Sequence, residues 1–342
     1  MLAGGASRSP WEEILEVARW APSPHNTQPW RVRPVSESTA ELLLDPGRAL
    51  PDEDTTGCFI VAALGMFLET LRIVAANRGR WLDVSGLEPE PARLAASSDG
   101  RPAGLVPFAM LRLEPSHDER ADFEDALILA RRTTRLPPSP GPLPAGVMEE
   151  IGREAGRWGY AVTLIEAPDA VADLMRLNLE AVIDDLTSPA YHDEIVRWLR
   201  LTRRRELETR DGLSARCMNM PAHELALLAA VPRAARWPLI GRAVRALYRR
   251  RLGPVPRLAV VAGPFWDAQS AVQAGRCFMR LWLILTRHEL GIHPFGNLIT
   301  NARASAALRE RTGIPDPWIV FRVGQTPPPP RSERLAVGRI LA

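Results

Sequence analysis

The sequence predicts a chain of mixed helix and strand. Two observations carry that reading. Residues 56–77 and 268–290 are long helical patterns, apolar around much of their circumference, which marks helices buried at the centre of a fold. Short apolar runs of strand length, such as residues 39–44 and 258–263, recur between turn signals.

In chain order, residues 11–20 have helical spacing through Ile14, Leu15, Ala18 and Trp20. Pro22, Pro24 and Pro29 then deny the backbone further helix. Residues 21–30, APSPHNTQPW, therefore form a stiff loop carrying Ser23, His25, Asn26 and Gln28. Such a loop suits a polar planar ligand; it equally suits a proline-rich helix stop with an Asx turn. Residues 31–35 and 39–44 make a hairpin, and Asp45-Pro46-Gly47 a turn. The first long helix ends at Asn77-Arg78-Gly79. A strand over 81–84, a turn at Asp99-Gly100 and a strand over 105–113 follow, with a break around 114–120.

A helix over 121–130 leads into Arg131-Arg132-Thr133-Thr134-Arg135. Arginines this close repel unless solvent or an anion neutralises them, and the guanidinium fork suits phosphate. A solvated basic turn is the other reading. Next come a helix over 147–158, a strand over 161–166, helices over 170–187 and 192–201, and Arg203-Arg204-Arg205 on a charged face. Arg210 to Leu213 is turn-like. Residues 214–255 scatter Met218, Met220, Trp237, Leu239, Leu247 and Tyr248 among arginines, as expected of an excursion packed over the core. Residues 242–251 are a basic helix. After the strand 258–263 and the second long helix, Gly291 is the expected helix stop. A last strand over 319–323 ends at Gly324.

Apolar residues make up 46% and charged residues 24% of the 342, ordinary for a globular chain. A net charge of +3 is too small to imply a nucleic-acid partner. Cys58, Cys217 and Cys277 form no C-x-x-C pair, and an odd count argues against a disulfide scaffold. The chain shows no signal-peptide core and no uncharged run of bilayer length, so no membrane partner and a cytoplasmic location are expected. No tight Gly-x-Gly-x-x-Gly fingerprint follows a strand, and His192, His223, His288 and His293 lack H-E-x-x-H spacing.

The loop 21–30 resembles the flavin-edge loop of the FMN-dependent nitroreductase superfamily, and Arg131 to Arg135 is similar to that superfamily's phosphate-holding turn. The resemblance implies an α+β fold, nitroreductase-like, with central, mostly antiparallel sheets flanked by helices and FMN in a dimer interface. It implies that Arg131, Arg132, Thr133 and Arg135 hold the FMN phosphate, joined by Arg331 near the C-terminus. Ser23, His25, Asn26 and Gln28 would face the isoalloxazine, with Asn26 the strongest candidate. Pro294, Phe295 and Gly296 would run over the ring, the glycine allowing close backbone approach.

The arginine turn occurs only in the second half and the asparagine loop only in the first. The chain thus resembles fused, double-domain nitroreductase-like proteins: residues 1–118 one half, 119–342 the other, with a lid or clasp at 202–255. One complete FMN site would form in a monomeric pseudo-dimer. The resemblance implies an NAD(P)H oxidoreductase, with NADPH or NADH as donor and a nitroaromatic, quinone or other conjugated small molecule as acceptor. The alternative is an FMN-sequestering protein whose lid excludes nicotinamide.

Overall fold

The structure, a computed structural model, describes residues 8–87, 104–116, 121–230 and 238–342. The expected turn at Asp99-Gly100, part of the break at 114–120 and the anchor Trp237 lie outside the described residues. The first half begins with α1 (Pro10–Ala18). Ser9 caps it, taking the Glu12 N–H and giving its own N–H to the Glu12 carboxylate, with Pro10 in the first turn. Then come β1 (Trp30–Pro34), β2 (Thr39–Leu44), α2 (Cys58–Ala76), β3 (Arg80–Ser85) and β4 (Val106–Pro115). All pairings are antiparallel, in the order β1-β2-β4-β3.

A short α3 (Asp125–Ala130) leads to the arginine turn, then to α4 (Val147–Arg157) and β5 (Ala161–Ile165). Between β5 and the next core strand lie α5 (Pro168–Thr187), α6 (Pro189–Trp198), β6 (Leu199–Arg200), α7 (Arg203–Thr209), β7 (Leu213–Ser214), α8 (Ala222–Ala230) and α9 (Pro238–Leu252). The core resumes with β8 (Leu258–Ala262), α10 (Ala268–Arg287) and β9 (Leu290–Pro294). It continues through α11 (Asn297–Thr300), α12 (Ala302–Thr312) and β10 (Pro317–Gln325), and α13 (Val337–Ile340) closes the chain. The second sheet is also antiparallel, in the order β5-β8-β10-β9.

The two sheets share one topology. In each, the long helix joins the second strand to the third, and the fourth strand inserts between them. The fold is thus α+β, with two antiparallel sheets flanked by helices in a pseudo-symmetric arrangement. Two isolated bridges extend the sheets, the first within the second half and the second between the halves. Thr133 bridges Ile292 of β9, and Leu341 bridges Val32 of β1.

Several boundaries differ from the sequence reading. The helix expected over 121–130 occupies only α3. The second long helix stops at Arg287, and the left-handed residue that follows is Glu289, at φ 57°. Gly291 is therefore no helix stop. It lies inside β9, where a Cβ would stand 2.5 Å from Thr134 Cγ2, so the glycine serves the close passage of the arginine turn. Gly324 pairs with Gly291 inside β10 instead of ending it. The helix expected over 192–201 starts earlier, at Pro189, a residue preorganised for a first turn. The arginines 203–205 open α7.

The centre of the molecule is the contact of α2 with α10. Every residue of α2 except Phe59 and Arg72 is buried. It is apolar and long enough to cross a bilayer by composition, yet 89% of it is covered by the rest of the protein. A Cβ on Gly65 would lie 2.2 Å from the Val272 carbonyl oxygen, and one on Gly275 would lie 2.0 Å from the Ala62 carbonyl oxygen. The backbones touch here, and only hydrogen fits between them. Further along α2, the fully buried Glu69 takes Arg276 at 3.1 Å and Arg280 at 3.0 Å from α10, and Arg72 from its own helix. Arg280 also reaches Asp122 at 2.7 Å and Glu154 of α4. Burial works against charge on Glu69, but Arg72, Arg276 and Arg280 outweigh it and hold its pKa below the ordinary carboxylate value.

Two predictions follow from this contact. Gly65→Ala or Gly275→Ala gains about 1 kcal/mol of helix propensity, but the forced separation of backbones costs more. A net loss of about 2 kcal/mol is expected in urea unfolding; an unchanged midpoint would contradict the close approach. Because the Glu69 pKa is depressed on folding, its stabilisation is complete above the unfolded value near 4.3 and is lost as pH falls through the folded value. Glu69→Gln should cost about 3 kcal/mol at pH 7 and flatten that acid limb, read by urea midpoints between pH 7 and pH 3.

Candidate functional site

The loop 21–30 leaves α1 through a short 3-10 turn at Pro24–Asn26. His25, Asn26 and Gln28 all adopt left-handed backbone, at φ 47°, 56° and 53°. Such conformations are uncommon outside glycine and need holding. Neighbouring groups hold them. The Gln28 N–H donates to Ser23 Oγ at 2.9 Å. The fully buried Gln28 side chain donates to the Arg210 carbonyl at 2.9 Å and accepts the Leu335 N–H at 2.8 Å. Asn26 Nδ2 donates to the carbonyls of Glu333, at 3.1 Å, and Gly212. Arg48 donates to the Thr27 carbonyl and pairs with Asp211, which also takes Arg200 at 2.7 Å.

Ser23 and His25 line a cavity of about 390 Å³. Thr133 and Arg135 from the arginine turn line it too, as do Pro294 and Gly296 after β9. Ala62, Met66 and Gly275, at the crossing of α2 and α10, also lie on its wall. Phe278, Trp282 and Trp318 add aromatic surface, and Met218, Met220 and Leu225 come from the segment before α9. The structure thus brings six of the sequence-selected residues to one space. Asn26, Gln28, Phe295, Arg131, Arg132 and Arg331 are not on its wall. The amide nitrogens of Asn26 and Gln28 donate to backbone of the segment 210–212, that of Asn26 also to the C-terminal tail, while Asn26 Oδ1 is buried without a partner; Phe295 is buried in a satellite core with Leu298 and Ile299.

Arg131, Arg132 and Arg331 gather with Arg334 around Trp20. Arg131 donates to the Trp20 carbonyl at 2.9 Å and lies over the Trp282 ring, Arg132 donates to the Pro329 carbonyl, and Arg331 and Arg334 lie over the Trp20 ring. Burial, then Arg334 and Arg331, push the Arg131 guanidinium well below its ordinary value; burial and Arg331 bring Arg334 down to about 10. Arg131 Nε, Arg132 Nε, Arg331 Nη2 and Arg334 Nε are buried without a hydrogen-bond partner. Mutually repelling cations with unspent donors are the donor set of a phosphate dianion. The aromatic cavity wall suits a flat ring, and the arginines, which meet that wall where Arg131 lies over Trp282, suit a phosphate; the donor chemistry is that of an FMN site.

Sequence reasoning missed Arg334, although it stands three residues after Arg331 in the same basic tail. It also missed Glu53, Tyr191 and Glu194, for which no local pattern exists. Glu53 Oε2 is 3.0 Å from His25 Nε2. Burial opposes charge on His25, but Glu53 outweighs it with help from Glu194, while Arg135 opposes; the balance lies above the ordinary histidine value. His293 is the reverse case. Burial, then Arg135 and Arg322, push it well below, so it is a neutral imidazole on the cavity wall.

No protein-family model matches the chain. Over 186 residues it is 28% identical to the nominal NAD(P)H nitroreductase Rv3131 of Mycobacterium tuberculosis, which covers 54% of this chain and 49% of that protein. Over 193 residues it is 30% identical to the nominal NAD(P)H nitroreductase acg of the same organism, covering 55% and 53%. The chain spans about half the length of the curated relatives it matches. Among solved structures, it is similar to the FMN-dependent nitroreductase NfnB of Mycobacterium smegmatis, solved with NADPH, at 19% identity and TM-score 0.35, over 59% of this chain and 86% of that one. A nominal nitroreductase from Anabaena variabilis matches at 13% identity and TM-score 0.35, over 93% of this chain and 73% of that one. Structural likeness of this degree speaks to neither ligand nor activity.

If the arginine cluster awaits an anion, weakening it should not weaken the ligand-free fold. Arg131→Met removes one repelling charge and keeps most of the apolar stem. Its unfolding midpoint in low salt should equal or exceed that of the unaltered protein, while the thermal shift given by millimolar inorganic phosphate should shrink. A large drop in the ligand-free midpoint would instead mark Arg131 as a structural residue.

Proposed function

We propose that this chain is an FMN-dependent NAD(P)H oxidoreductase that passes electrons to a nitroaromatic, quinone or other conjugated small molecule. One observation carries the reading. Three segments separated by more than a hundred residues each, all selected from sequence for a flavin role, line one cavity through Ser23 and His25, Thr133 and Arg135, and Pro294 and Gly296. The unpartnered donors of the arginine cluster, which reaches the cavity wall through Arg131 over Trp282, support it further.

On this reading the two halves, 1–118 and 119–342, act as a pseudo-dimer in a single chain. Arg131, Arg132, Arg331 and Arg334 hold the phosphate. Thr133 and Arg135 stand between it and the ring. FMN, once bound, supplies hydride acceptance from nicotinamide and electron delivery to the acceptor. The protein's share is binding, orientation and exclusion of water. Asn26 and Gln28 act indirectly, fastening the segment 210–212 that helps to close the cavity.

That closure favours a second reading, in which FMN is held and nicotinamide kept out. Leu199, Leu213, Met218, Met220 and Leu225 contribute cavity wall from the excursion between β5 and β8. The excursion is fastened by the Arg48–Asp211–Arg200 pairs and by Arg216, which joins Glu206 to the Arg331 carbonyl.

The visible spectrum separates the readings. Purified protein reconstituted with FMN should show a bound-flavin spectrum that bleaches on anaerobic addition of NADPH or NADH and recovers with a nitroaromatic. Bound flavin that stays oxidised with both nicotinamides would favour the holding protein, and failure to bind FMN would sink both. Arg135→Ala should weaken FMN binding by about tenfold or more, the worth of one charge-assisted hydrogen bond, with the fold intact by circular dichroism.

A further inference from the structure

The flavin reading leaves Glu53, Glu194 and Tyr191 without a task, although Glu53 and Tyr191 line the cavity beside His25. They form an ordered chain of polar groups. The buried Glu194 carboxylate of α6 accepts the N–H groups of Asp52 and Glu53 at 3.1 and 2.9 Å, and so fixes the loop that carries Glu53. The Glu53 carboxylate faces His25 Nε2 at 3.0 Å and takes the Tyr191 hydroxyl. Asn297 donates to Tyr191 Oη at 3.0 Å and to Asp185 at 2.7 Å, and Asn301 donates to the other Asp185 oxygen.

Two buried atoms in this chain lack a hydrogen-bond partner, Glu53 Oε2 and His25 Nδ1. Glu53 Oε2 stands in ion-pair contact with His25 Nε2 at 3.0 Å, whereas His25 Nδ1 has no polar neighbour of either kind. A buried donor left unsatisfied costs about 1–3 kcal/mol. His25 also carries left-handed backbone at φ 47°, a conformation retained at a cost where position matters.

We propose that His25 is the catalytic acid of this cavity, giving its Nδ1 proton to an oxygen of the electron acceptor, with Glu53 and Glu194 as positioning residues. The proposal rests on the oxidoreductase reading and narrows its substrate class. It selects acceptors whose oxygen must gain a proton on reduction, quinones and nitro compounds, over acceptors that take electrons alone. For a quinone the balance is complete. The quinone takes a hydride, two electrons and one proton, that originates in NAD(P)H and arrives through FMN. It takes the second proton from His25 Nδ1 and leaves as hydroquinone. His25 is left neutral, still bonded to Glu53, and regains its proton from water.

The charged and titratable groups facing His25 come from several elements. Glu53 and Asp54 precede α2, Asp185 lies on α5, and Tyr191, His192 and Glu194 lie on α6. Arg135 lies in the arginine turn, and His293 on β9. Because Glu53 raises the His25 pKa, the acid is present below the raised value and is lost as pH rises through it.

The test uses FMN-loaded protein and separates the half-reactions by anaerobic stopped flow. His25→Asn tolerates the left-handed backbone. Because His25 also lines the flavin cavity, flavin reduction by NADPH or NADH and reoxidation by ferricyanide, measured on the same variant, give the reference against which its quinone rate is read. Reoxidation by 1,4-naphthoquinone should fall by about 100-fold, the lower range for loss of a general acid. Glu53→Gln should move the alkaline limb of quinone reoxidation down by at least about one pH unit. It should lower the His25 C2–H titration midpoint by the same amount in flavin-free protein, read by NMR. Unchanged quinone reoxidation in His25→Asn, or a His25 midpoint unmoved by Glu53→Gln, would overturn the proposal alone. Failure of both nicotinamides to reduce bound FMN would instead overturn the oxidoreductase reading beneath it.

Discussion

The structure depends on the contact between α2 and α10. Gly65 and Gly275 let each backbone rest on the carbonyl of the other helix, at Val272 and Ala62. Each helix joins the second and third strands of its own sheet, so the crossing decides how the two sheets face one another. It also decides which loops from the two halves can meet. Ala62, Met66 and Gly275 reappear on the cavity wall, so the helix crossing is at the same time part of the cavity lining. The Glu69 and Arg280 pairs lock the register of the helices along their length. They add specificity more than net stability, since burying such charges consumes much of what pairing returns.

Around this crossing the polar residues fall into two kinds. Several groups that fasten the fold are fully satisfied. Gln28 spends its amide on both sides, Asp211 holds two arginines, and Glu194 takes two backbone N–H groups. Groups near the cavity are not. Four arginines around Trp20 and one histidine beside Glu53 keep buried nitrogens without partners. Buried polar atoms without partners also occur elsewhere, at Trp30, Asn178, Trp198 and Arg322 among others; what sets the arginines around Trp20 apart is that several like charges with unpartnered donors share one place, a pattern suited to an anion.

The division between these kinds explains what could be read early. The loop 21–30, the arginine turn and the segment after β9 were legible because prolines, clustered like charges and a permissive glycine leave local marks. The two long helices were legible because periodic apolarity is local too. Their ends were less so. Gly291 has the chemistry of a helix stop, but Thr134 presses against it across β9, a demand made by a neighbour 157 positions away, and Glu289 takes the left-handed turn instead. Asn26 has the chemistry of a ligand residue, yet its side chain meets the carbonyls of Gly212 and Glu333.

By itself, the sequence determined the alternation of helices and strands, the near repeat of its two halves and three stretches worth testing as one site. The alternation follows from backbone preference and hydrophobic period, which act over a few residues; the repeat and the three stretches were picked out by their resemblance to a known superfamily. Only the tertiary structure decided that both sheets have one topology, that Arg334 joins the arginines, that Glu53 faces His25, and that two amides of the first loop act as fasteners. Each is a matter of which groups come within about 3 Å of each other across the chain. That is governed by helix packing at two glycines and by the excursion folded over the cavity, and no local pattern encodes it.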